Sequence, residues 1–251
     1  MILITGASSG IGEACAWSLA ESGRSSLFLV GRRGEKLKSL AQEIEKKHQT
    51  KVLWAALDVR SQKDVQSFAE QYHRELESLS AVVNNAGLAA GANVFQEGVL
   101  EDWETMIDTN LKGLLYMTKA VLPNFIKNKS GHIINIGSVA GHWVYPKGNV
   151  YCATKAAVTA LSEGLRYDLM GTGIRVTEIC PGMVETEFSL VRFKGDQEKA
   201  KAVYQGVQPL TGQDVAEAVT WAISRPQHVN VQQMVLYSTD QASPTMVHRR
   251  I

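Results

Sequence analysis

The chain has 251 residues, 45% hydrophobic and 20% charged, with a formal net charge of +1. That size and composition suit one α/β domain, and the balanced charge argues against nucleic acid or an anionic membrane surface as a partner. No apolar run reaches the roughly 18 residues of a membrane span, and the N-terminus lacks a basic segment followed by an apolar stretch and a cleavage site, so the expected setting is the cytoplasm.

"MILIT" (1–5) opens the chain as a strand and leads directly into "GASSGIGEACAWSLAESG". Gly6, Gly10 and Gly12 give a G-x-x-x-G-x-G spacing at a strand-to-helix turn. Such a turn lets the backbone approach a pyrophosphate, whose charge the free N–H groups of the following helix can hold. The expected phosphate contacts are Gly6, Ser8, Ser9, Gly10, Ile11 and Gly12. A glycine-rich turn that binds nothing is the alternative.

A helix over 11–23 then leads to a second strand, "SLFLVG" (26–31), followed by Arg32 and Arg33. In a dinucleotide fold a carboxylate at this place suits the ribose 2′-hydroxyl of NAD, whereas an arginine suits a 2′-phosphate. Here Gly31 stands where the acid would be, which points to NADP, with Arg32 as the closer contact of the two. Both arginines in a solvated loop is the competing reading.

Helical patterns near 34–48, 62–77, 99–127 and 150–170 alternate with apolar runs at 51–57, 81–86, 131–137 and 173–181. Most of these runs are continuously apolar, as strands buried on both faces of a parallel sheet should be. Ser61 with Asp64, and Thr211 with Asp214, have the spacing of helix starts. A helix near 212–224 precedes a last apolar run, "QMVLY". The expected fold is a Rossmann-type doubly wound parallel sheet of about seven strands with helices on both faces. Residues 1–251 read as a single domain, with 1–137 mainly binding the dinucleotide and 138–251 carrying catalysis and substrate binding. Residues 181–211 lack a strong strand or long helix. Their place after the end of a strand predicts a substrate loop rather than a solvated excursion.

Cys15, Cys152 and Cys180 are far apart and, with six scattered histidines, form no zinc-binding spacing. They read as packing residues, and no metal is expected.

"TGASSGIG" (5–12), "LDV" (57–59), "NNAG" (84–87), Asn110 in "DTNLKG", Ser138 in "INIGSVAG", "YCATK" (151–155) and "PG" (181–182) occur in an order that resembles the short-chain dehydrogenase/reductase family. The resemblance covers nearly the whole chain. It implies a catalytic set of Asn110, Ser138, Tyr151 and Lys155, with Asn110 orienting a water that connects Lys155 to solvent. It also implies that Asp58 and Val59 border the adenine and that Asn85, Ala86 and Gly87 line the cofactor. Pro181, Gly182, Val184 and Thr186 would meet the nicotinamide end. "DWETMIDTNLKGLLYMTKAVLP", "TEFSLVRFKGD" and "HVNVQQM" are similar to the NADP-dependent 3-hydroxy acid dehydrogenase branch. That branch acts on serine, L-allo-threonine and 3-hydroxy acids or the matching carbonyls. This closer likeness implies a homotetramer, and a hold on the substrate carboxylate by Arg192.

The chemistry asks for these residue types. A hydride can move to or from a carbon bearing oxygen only if a proton moves on that oxygen. A free tyrosine titrates near 10, and moving that value to about 7 requires roughly 4 kcal/mol of preference for phenolate. Tyr151 and Lys155 lie four apart on one helix face, so the ammonium is expected to supply that preference and to bind the nicotinamide ribose. Ser138 can hold the substrate oxygen. Trp143 and Tyr145 are candidates for a substrate wall or for loop packing, and His142 reads as a solvated loop histidine. Two other functions compete: reduction of neutral or 3-ketoacyl carbonyls, and cofactor sensing without turnover.

Overall fold

A computed structural model describes residues 1–23 and 26–250. In chain order its elements are β1 (Ile2–Thr5), α1 (Gly10–Glu21), β2 (Leu27–Gly31), α2 (Gly34–His48), β3 (Val52–Ala56), α3 (Gln62–Gln71), α4 (His73–Glu77) and β4 (Ala81–Asn84). They continue with α5 (Leu100–Ile107), a π-helical turn (Asp108–Lys112), α6 (Gly113–Asn128), β5 (Gly131–Ile136), α7 (Asn149–Asp168) and β6 (Ile174–Pro181). Beyond these come β7 (Val184–Glu185), α8 (Phe188–Arg192), α9 (Gln197–Ala202), β8 (Leu210–Thr211), α10 (Gly212–Ile223) and β9 (Gln233–Leu236).

Seven strands form one parallel sheet in the order β3-β2-β1-β4-β5-β6-β9, and β7 and β8 form a separate parallel pair. The order reverses between β1 and β4, which makes the crevice above their C-terminal ends the ligand-binding position of such a sheet. Strand residues alternate between two cores. Ile2, Ile4, Leu27 and Leu29 pack with Cys15, Leu19, Ile44 and Val219 from α1, α2 and α10. Leu3, Phe28, Val82 and Ile133 pack with Phe68, Met117, Val121 and Phe125 from α3 and α6. The continuously apolar runs therefore have a physical cause: helices cover both faces.

Both expected helix starts form. The Ser61 hydroxyl accepts from the Asp64 amide, and Thr211 with Asp214 makes a reciprocal capping box. The 62–77 pattern divides at Tyr72 into α3 and α4, and the 99–127 pattern divides at the π turn. Segment 181–211 holds only short elements, α8, α9 and one pair of two-residue strands, with no long helix. Among the described residues no helix is long and apolar enough to cross a membrane.

Candidate active site

The strand-to-helix turn after β1 forms one end of the site. Gly6 and Gly10 have φ of +64° and +59°, the left-handed region that favours glycine. Gly12 is required for a different reason: a Cβ there would lie 2.5 Å from the Gly6 carbonyl oxygen and from Asn85 Nδ2. The "NNAG" loop is tied down beside it. Thr5 Oγ1 accepts from the Asn85 and Ala86 amides at 3.0 Å each, and Asn85 Nδ2 donates to the Thr5 carbonyl at 2.9 Å.

A cavity of about 320 Å³ runs from this turn to the C-terminal ends of β5 and β6. Every expected cofactor position except Gly12 lines it, and so does Ser138. At the rim, Arg33 donates to Ser8 Oγ, the Ser8 carbonyl and Ser9 Oγ, and pairs with Glu187 at 2.8 Å. Arg32 also lines the cavity, with no hydrogen bond of its own among the described residues. Arg33 is thus the arginine held in place by the phosphate turn. Asp58 is chelated by Arg60, whose hydrogen bonds hold the carboxyl below its usual range.

At the other end, α7 carries Tyr151 and Lys155 to the cavity wall, both more than nine-tenths buried. Lys155 Nζ donates to the Ile136 carbonyl at 2.8 Å. Ser138 lies just beyond β5 with extended backbone, its hydroxyl accepting from the Ala140 amide. The Tyr151 ring meets the Phe188 ring edge-on at 5.7 Å. Burial pushes the Tyr151 phenol well above its ordinary value and the Lys155 ammonium down to about 8. Nζ is turned to a backbone carbonyl, and the Ser138 hydroxyl and Arg192 charge are what favour phenolate.

Asn110 lies off the cavity wall, in the π turn. Its Oδ1 accepts from the Leu88 amide at 2.8 Å, and its Nδ2 donates to the Leu88 carbonyl and to Thr154 Oγ1. The carboxamide is spent on holding the loop after Gly87 against α7. A Cβ on Gly87 would sit 3.2 Å from Asn110 Oδ1 and 3.6 Å from Lys155 Nζ, so a missing side chain is what lets the three meet.

Arg192 and Tyr145 are brought to each other rather than to the large cavity. Arg192 donates to the Tyr145 hydroxyl at 3.0 Å, the Gly91 carbonyl at 3.1 Å and the Lys147 carbonyl at 3.3 Å. Arg192 lines a smaller cavity that shares Tyr151 as a wall. Tyr145 is largely enclosed, and α8 places Arg192 over its ring, so the guanidinium takes partners that the loop already offers. Trp143 is half-exposed and lines neither cavity. His142 differs from its expected solvated state: it is half-buried, with Nε2 3.5 Å from Cys180 Sγ.

Sequence reasoning missed a polar row beneath the site. Asn84, Asn135, Glu178 and Gln233 stand side by side in register across β4, β5, β6 and β9. Asn84 donates to Asn135, Asn135 to Ser162, Thr159 to Glu178 Oε1, and Gln233 to Glu178 Oε2. Thr159 and Ser162 share α7 with Lys155, so this row anchors the catalytic helix to the sheet. Glu178, Cys180 and His142 also bring their ligand-type atoms within 4.8 Å of one another, a grouping that wide spacing hid in the sequence. The partners of Glu178 and Cys180 are met within the protein, which accounts for the grouping as packing under Gly137 and Ser138. Glu187 and Phe188 were missed as well; only their place next to Thr186 hinted at them.

Comparison with known proteins agrees with this geometry. The short chain dehydrogenase family model matches residues 1–197. The chain is 46% identical over 251 residues to the NADP-dependent 3-hydroxy acid dehydrogenase YdfG of Salmonella typhi, covering 99% of each. It is 47% identical over 243 residues to sulfoacetaldehyde reductase 2 of Chromohalobacter salexigens, covering 96% of this chain and 95% of the other. A solved closed form of serine dehydrogenase complexed with NADP+ superposes with a TM-score of 0.91 at 45% identity, covering both chains completely. The protein belongs to the short-chain dehydrogenase family.

Proposed function

We propose that this protein is an NADP-dependent oxidoreductase acting on small 3-hydroxy acids or β-hydroxy amino acids, or on the matching carbonyls. One observation carries the reading. Ser138, Tyr151 and Lys155 share one cavity with a glycine turn and an arginine rim, so proton transfer and nucleotide phosphate binding belong to one space. The residues fit a dinucleotide because the cavity runs from the glycine turn and its arginine rim to Ser138 and Lys155. The cofactor supplies the hydride or takes it up. The chain does the rest: Ser138 orients the substrate oxygen, Tyr151 gives or takes its proton, and Lys155 holds a positive charge beside them.

A substrate carboxylate would be held by Arg192. Its charge favours phenolate at both Tyr145 and Tyr151, which puts it electrostatically within reach of the reacting space. The names of the relatives support an anionic substrate, since both 3-hydroxy acids and sulfoacetaldehyde carry an acid group near the reacting carbon. Arg192→Ala is expected to raise KM for serine or 3-hydroxybutyrate by at least about tenfold, the scale of a lost charge-assisted contact, while sparing a neutral carbonyl. Equal losses on both would remove the carboxylate role. The overall reading is tested by following reduced nicotinamide with NADP and NAD over serine, L-allo-threonine, 3-hydroxybutyrate and neutral alcohols. Tight NADP binding without any turnover would favour a sensor instead. The reading extends to a single catalytic domain in the cytoplasm, assembled as a homotetramer.

A further inference from the structure

The substrate-side segment sends one carboxylate into the nucleotide rim. Glu187, directly before α8, forks between two cations of the β2–α2 region. Its Oε2 lies 2.8 Å from Arg33 Nη1 and its Oε1 lies 3.4 Å from Lys36 Nζ. The remaining nitrogens of Arg33 are bound to Ser8 and Ser9 of the phosphate turn. Glu187 and Arg33 both line the large cavity. An anion from residue 187 is therefore seated on the cations that a 2′-phosphate would need, and a carboxylate there repels a phosphate while it remains.

We propose that Lys36 joins Arg33 in the 2′-phosphate subsite, and that Glu187 is an internal anion occupying these cations until the 2′-phosphate displaces it. The inference rests on the NADP reading above and deepens it. A phosphate monoester brings more charge and one more acceptor oxygen than a carboxylate, so it wins the exchange. The 2′-hydroxyl of NAD carries no charge and leaves the pair closed. Cofactor choice in this way turns on a side chain 154 positions along the chain from Arg33.

The exchange is tested on the full-length protein with adenosine 2′,5′-bisphosphate and 5′-AMP as calorimetric probes, alongside NADPH and NADH. Glu187→Gln is expected to bind the bisphosphate roughly fivefold more tightly, the scale of two exposed ion pairs, with 5′-AMP changed by less than about twofold. Lys36→Gln is expected to weaken the bisphosphate about threefold and to leave 5′-AMP alone. Glu13, a carboxylate near the same cations with no ion pair to them, is the control for simple long-range charge. Glu13→Gln should change neither probe by more than about twofold.

Three results overturn the proposal. One is weaker bisphosphate binding by Glu187→Gln, which would make Glu187 a clamp on the nucleotide. The second is equal tightening of both probes, and the third is a Glu13→Gln effect as large as that of Glu187→Gln. Failure of wild type to bind NADPH at all would instead bring down the cofactor reading, and this inference with it.

Discussion

Tyr151 and Lys155 are four residues apart on one helix face, yet burial acts on them in opposite directions. The phenol is pushed up and the ammonium is pushed down to about 8. Below that value the pair is a neutral phenol beside a cation, the state that donates a proton to a carbonyl oxygen. Above it Lys155 loses its charge, and the cavity wall beside Tyr151 no longer carries a cation. Carbonyl reduction should therefore hold through neutrality and fall above about pH 8, while hydroxy acid oxidation, which needs a proton removed, should rise with pH. Profiles of kcat/KM against pH in both directions check this, and a reductive rate that climbs with pH contradicts it. Tyr151→Phe should keep NADP affinity within about twofold and lower turnover by at least about a thousandfold. Lys155→Ala should damage both, because it also removes the donor to the Ile136 carbonyl. Fluorescence titration with NADPH separates the two variants.

At the scale of elements, the catalytic helix α7 is held by polar groups rather than by apolar packing alone. Thr159 reaches Glu178 and Ser162 reaches Asn135, so the strand ends and the helix share one hydrogen-bonded row. Buried polar groups of this kind cost free energy when a partner is removed. Asn135→Ala strips partners from Asn84 and Ser162 and should destabilise the fold by about 1–3 kcal/mol, read from urea unfolding. Unchanged stability would show that the row is not structural. The π turn acts similarly from the other side: by widening the helix at Asp108–Lys112 it sets Asn110 against both Leu88 and Thr154. The periodicity of 99–127 marked a helix here but not its defect, because a single inserted residue leaves apolar spacing nearly intact.

At the scale of the whole molecule, apolar side chains remain uncovered on α6 and α7. Leu115 and Ile126 on α6 and Tyr167 near the end of α7 are exposed, although both helices bury their other faces in the sheet. The homotetramer proposed above accounts for this exposure. Sedimentation velocity should give four times the chain mass, and Leu115→Glu with Tyr167→Glu should lower it; a monomeric wild type would remove the proposal. The succession of strands and helices, the phosphate turn and the candidacy of Ser138, Tyr151 and Lys155 are legible in the sequence by itself, because turn chemistry, apolar runs and short spacings are local properties of a chain. Arg33 bound to the phosphate turn, Arg192 bound to Tyr145, the row under α7 and the Glu187 contact are decided by the tertiary structure alone. Each joins residues that lie far apart in the chain or compete for the same partner, and only packing determines which side chain reaches first.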